Sequence, residues 1–137
     1  GRELSNRDIY DWISEIQDRG AGEISITSVN HDGYGEGMNL KFLDKIHKKI
    51  RVPLIYHGGV GSFQDAYDVL KYDKVNAISI SSCFHYNEIM KKKFKFIELD
   101  EGNYDFLLGD REKLKFKTFS IIQLKRYLKK KKIKVRL

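Results

Sequence analysis

The residues best placed to do chemistry fall in three short polar runs. The first, His57-Gly58-Gly59-Val60-Gly61, follows the apolar stretch 52–56. Holding an oxyanion takes several main-chain N–H groups aimed at one point, and glycine lets the backbone come that close. A plain tight turn uses the same glycines. Asp32-Gly33 forms the second run and Ser81-Ser82-Cys83-Phe84 the third. Asp32 is the candidate general acid or base, with surface or capping duty an equal reading. Ser82 and the amides near Phe84 suit the start of a short extra helix that helps hold phosphate, or simply a strand exit. His31, His57 and His85 accompany the three runs, and three imidazoles can bind zinc with an open position. Histidines scattered over separate loops more often serve as hydrogen-bonding groups, so no metal and no cofactor is expected. Cys83 has no base near it in sequence and reads as a buried, inert thiol. His47 reads as a solvent-facing helical residue and Trp12 as core.

The elements that position these runs follow from periodicity. Ser5, with Asp8 three residues on, reads as a helix start, and Ile9, Trp12, Ile13 and Ile16 recur at helical spacing before Gly20. The β-branched run 23–29 reads as a strand. Asn39 caps a second helix with Leu40, Leu43, Ile46 and Ile50 as its stripe. Residues 52–56 form the second strand, with Pro53 near its start, where a missing donor is tolerated. Ser62 and Asp65 cap a third helix that carries Ala66, Val69 and Leu70 on one face and ends near Lys71. Residues 77–82 form the third strand. Strand, loop and helix thus alternate about every 30 residues, the pattern of a parallel α/β sheet. Such sheets take their ligands at the C-terminal strand ends, where all three polar runs fall. After His85 the rhythm breaks, and 91–117 reads as an inserted hairpin or excursion. Ser120 with Gln123 caps a last helix carrying Ile121, Leu124 and Leu128.

Size and charge bound the possibilities. A chain of 137 residues amounts to about one domain. No apolar run reaches the roughly 18 residues of a membrane span, and no signal peptide is visible. The chain opens on Gly1 rather than Met, as a processed product or a fragment would. One cysteine leaves no internal disulfide framework and suits a reducing cytosol, so a cytoplasmic location is expected. Residues 1–90 hold 10 Lys and Arg against 13 Asp and Glu, whereas residues 91–137 hold 16 against 6. The net +7 therefore belongs to the C-terminal third. Nucleic-acid binding could involve only that third, with Phe94, Phe96 and Tyr104 as stacking groups. A purely structural role would bind neither phosphate nor RNA.

The ordered motifs, from Arg19-Gly20-Ala21-Gly22-Glu23 through Thr27-Ser28, Asp32-Gly33 and Gly58-Gly59-Val60-Gly61 to Ser82-Cys83-Phe84-His85-Tyr86, resemble the C-terminal half of the cyclase subunit of imidazole glycerol phosphate synthase. The closing segment 124–136 resembles that family's final helix and tail. The resemblance covers roughly residues 5–90 and 118–137. It implies the C-terminal portion of a (βα)8 TIM barrel, a fold of about 250 residues, here as a single partial domain over 1–137 with an insertion at 91–117. It further implies histidine biosynthesis: ammonia from a glutaminase partner reacts with a phosphorylated ribulosyl-formimino nucleotide. Phosphate and substrate contacts carry over to Gly33, Gly58, Gly59, Ser82 and Thr27, and a catalytic aspartate to Asp32. The family's principal acid/base aspartates would precede Gly1, so this chain alone is expected to be inactive and to need the missing N-terminal half-barrel. Asn30, Tyr34, Asn39 and His57 depart from the family pattern around the substrate. These departures resemble paralogues that supply ammonia for amidating surface-polysaccharide sugars.

Overall fold

The computed structural model describes residues 6–91 and 116–136. Its first helix, α1 (Ile9–Asp18), is capped by Asp8, whose carboxylate accepts from the amides of Tyr10 at 2.8 Å and Asp11 at 3.1 Å. The expected start at Ser5 is therefore corrected. An extended Asp8 already satisfies two donors that a helix start leaves open, and Ser5 lies outside the described residues. After α1, Gly20 takes a φ of +93°, the left-handed turn that ends many helices. Ile13 faces inward at 1 % exposure, but Trp12 is 37 % exposed, against the core expectation. Trp12 flanks the buried stripe, and the Arg7 guanidinium covers its ring at 4.5 Å from the centroid.

Three parallel strands follow, β1 (Ile24–Thr27), β2 (Leu54–His57) and β3 (Val75–Ser79), paired in the order β1-β2-β3. Between β1 and β2 runs α2 (Leu40–Ile46), with Asn39 accepting from the Phe42 amide as its cap and a short 3-10 turn, His47–Lys49, at its end. Between β2 and β3 runs α3 (Phe63–Leu70), where Ser62 Oγ accepts from the Asp65 amide. Then come α4 (Ser82–Lys91) and α5 (Ile121–Lys130). A reciprocal Ser120–Gln123 capping box opens α5. The expected excursion at 91–117 lies, apart from its ends, outside the described residues.

Alternation along the strands divides the sheet into two faces. Ile24, Ile26, Leu54 and Tyr56 are buried in one core with Leu43 and Ile46 of α2, Ala66 and Val69 of α3, and Leu124 and Leu128 of α5. Each fully buried aliphatic side chain there contributes about 1.5–3 kcal/mol. On the opposite face Thr27 is exposed, and Ile55 and His57 are half-buried. The third strand starts two residues before the expected 77 and ends at Ser79. Val75 pairs with Leu54 while Ala77 pairs with Ile55, leaving Asn76 as an extra, bulged residue. Its side-chain oxygen accepts from the Leu54 amide at 3.2 Å. Ser82, read either as the strand exit or as the start of an extra helix, opens α4. Among the described residues no helix is long and apolar enough to cross a membrane.

Candidate functional site

The loops that follow the three strands meet at one edge of the sheet. A shallow, solvent-open notch there, with room for about one water, is lined by Asp32 and Gly33 after β1, His57, Gly58 and Gly59 at the end of β2, and Ser79 to Ser82 at the end of β3. Four of the five residues expected to contact phosphate, Gly33, Gly58, Gly59 and Ser82, thus line one notch, and so does Asp32. Thr27 does not. Its hydroxyl sits 3.4 Å from His57 Nδ1, one residue removed from the lining.

The glycines have separate local reasons. Gly58 and Gly59 hold φ values of +99° and +100°, and a Cβ on Gly59 would stand 2.1 Å from the Gly37 carbonyl oxygen. The Gly37 amide donates to the Gly59 carbonyl at 2.8 Å, and a Cβ on Gly61 would collide with the Gly35 backbone. The loop after β1 is therefore packed directly onto the loop after β2. Gly33 differs, since a Cβ there meets nothing within 4 Å and only its φ of +81° favours glycine. At the third wall, the Ser81 carbonyl accepts from the amides of Phe84 and His85, which starts α4. A helix start leaves its first N–H groups without intrahelical acceptors, here those of Ser82 and Cys83, and carries the positive end of the dipole.

The titratable groups sort by partner. His57 Nε2 lies 3.4 Å from Asp32 Oδ1. His31 Nδ1 lies 2.9 Å from Ser28 Oγ, and His85 packs edge-on against Tyr86. The three histidines therefore point to three different partners, and among the described residues no group of three His, Cys, Asp or Glu is arranged to hold a metal ion. His47 Nδ1 faces the Leu43 carbonyl and its ring meets Tyr72, so it is half-buried rather than solvent-facing. Cys83 is fully buried, its Sγ donates to the Val60 carbonyl at 3.1 Å, and burial, with Asp65 nearby, pushes its thiol up to about 11. That is an inert thiol.

The Asp32–His57 pairing escaped the sequence reading because the two residues are 25 positions apart. The available signal was that both fall in the polar runs that close neighbouring parallel strands. The lapped glycine loops were likewise legible only as matched clusters, Gly33, Gly35 and Gly37 against Gly58, Gly59 and Gly61.

A family model described as histidine biosynthesis protein matches residues 1–90. The chain belongs to this family. It is 39 % identical over 87 residues to the imidazole glycerol phosphate synthase subunit HisF of Buchnera aphidicola, an alignment covering 61 % of this chain and 34 % of that relative. The same subunit of Prochlorococcus marinus (strain MIT 9215) is 33 % identical over 101 residues, 74 % of this chain and 40 % of the relative. That of Lactococcus lactis is 38 % identical over 88 residues, 64 % of this chain and 34 % of the relative. The chain therefore spans between a third and two-fifths of the length of these curated relatives. The histidine biosynthesis family is a TIM-barrel family, and this chain forms part of such a barrel, with an open sheet of three parallel strands.

Proposed function

We propose that this chain is the C-terminal part of a cyclase subunit of imidazole glycerol phosphate synthase, acting in histidine biosynthesis. The observation that carries the reading is the convergence of Gly33, Gly58, Gly59 and Ser82 on one notch at the C-terminal strand ends. Their main-chain donors and the start of α4 suit the phosphate of a phosphorylated ribulosyl-formimino nucleotide. The notch itself has room for about one water, so the phosphate seats at its mouth. Positioning a substrate by its phosphate brings its reacting carbon to ammonia without loss of orientation. A glutaminase partner supplies that ammonia, and the remaining strands of the barrel supply the principal acid and base. Among the described residues, Asp32 is the carboxylate that lines the notch, at its rim, and it is placed to assist.

Solution NMR tests the reading. Inorganic phosphate or a bis-phosphorylated nucleotide shifts the amide signals of Gly33, Gly58, Gly59 and Ser82, and unmoved signals at millimolar ligand overturn it. A second reading rests on His57, an imidazole set into the substrate mouth: the chain serves a paralogue whose ammonia amidates a surface-polysaccharide sugar. Turnover of the nucleotide by the complete enzyme separates the two. Nucleic-acid binding through the basic C-terminal third would instead weaken steeply with salt and leave those four amides unmoved.

A further inference from the structure

One residue of the notch opposes an anion. Asp32 is 48 % exposed at the rim, and a carboxylate there repels a phosphate oxygen. His57 stands beside it, 25 % exposed, with Nε2 at 3.4 Å from Asp32 Oδ1. The other ring nitrogen is 3.4 Å from the Thr27 hydroxyl, so the imidazole is held from both sides. Resting on the anion-binding reading above, we propose that His57 is a specificity-determining residue of the notch. As imidazolium it neutralises Asp32 and admits a doubly charged oxyanion of the phosphate-monoester kind. As neutral imidazole it leaves the carboxylate set against that guest.

The surroundings make Asp32 the group that decides. From β1 the ring meets Thr27, and from β3 its register neighbour is Ser79, neither of which titrates near neutrality. His31, on the same loop as Asp32, is engaged by Ser28. The Asp65 carboxylate of α3 is turned to the Gly61 amide at 3.0 Å and the Ser62 hydroxyl at 2.8 Å.

Sulfate is the suitable probe because it keeps two negative charges where phosphate itself titrates. The full chain is titrated with sulfate at constant ionic strength, by NMR, between about pH 5.5 and 8, a range that spans ordinary imidazole titration. Affinity falls about five- to tenfold as pH rises through that range. Asp32→Asn, nearly isosteric, binds sulfate more tightly than the parent at every pH in the range and keeps the pH dependence, because the imidazole remains. His57→Gln gives a flat profile at the weak level. Equal sulfate affinity across the range in the parent chain overturns the role of His57 and leaves the anion site standing. Absence of sulfate binding at every pH overturns the anion site and this inference with it. The parent's own pH profile decides even if a variant fails to fold.

Discussion

Cys83 at the start of α4 donates its thiol hydrogen to the carbonyl of Val60, 23 residues earlier, at 3.1 Å. This bond ties the third wall of the notch to the loop that forms the second. It also accounts for a pH effect. Burial, reinforced by the Asp65 carboxylate, pushes the thiol up to about 11 from an ordinary 9.0. The folded chain thus holds its proton more tightly than the unfolded one, so the stability this group contributes is complete below pH 9.0 and is lost as pH rises through about 11. Iodoacetamide at mildly alkaline pH labels the native chain about a hundredfold more slowly than the denatured chain. Equal rates, read by mass spectrometry, refute the buried bond.

Gly59 and Gly33 respond differently to alanine. At Gly59 the new methyl meets the Gly37 carbonyl oxygen, and the backbone is left-handed besides. The expected loss is about 2–4 kcal/mol in urea unfolding. At Gly33 only the dihedral is adverse, so the loss is about 1 kcal/mol. Similar losses at the two positions would mean that the loops do not lap as described.

Asn76→Ala removes the acceptor of the Leu54 amide, on a residue with no exposed surface. A buried donor left without a partner costs about 1–3 kcal/mol. Asn76→Asp keeps the acceptor oxygen and restores most of that loss in the same unfolding measurement.

Ser120→Ala opens the box at the start of α5 and costs about 1 kcal/mol, whereas Ser120→Asp is nearly neutral. Thermal melts followed by circular dichroism distinguish them. The same scale applies to Asp8→Ala at α1.

Much of this architecture was legible where local chemistry decides it. Asn39, Ser62 with Asp65, and Ser120 with Gln123 mark helix starts by side-chain oxygens that reach their own backbone, and the structure uses each. Leu43, Ile46, Val69 and Leu124 follow helical periodicity into the core. The misreadings arose where local signals tie or where a neighbour changes the outcome. Asp8 and Ser5 are both able caps, and nothing within the segment decides between them. Trp12 looks apolar enough for the core, but the arginine five residues before it offers a cover at the surface. The ends of β3 depend on a bulge set by pairing with β2. At the site, which loops carry the polar groups follows from strand order, but the contact between Asp32 and His57 exists only once the strands lie side by side.

The extra residue in β3 has a consequence for everything beyond it. Paired without interruption, His57 would have Ile78 as its neighbour and Tyr56 would have Ala77. Because Asn76 is looped out, the strand arrives one step later, with Ser79 beside His57 and Ile78 beside Tyr56. A single inserted asparagine thus trades a greasy side chain for a hydroxyl at the rim and sends the isoleucine to the helix-covered layer, where its methyl groups are welcome.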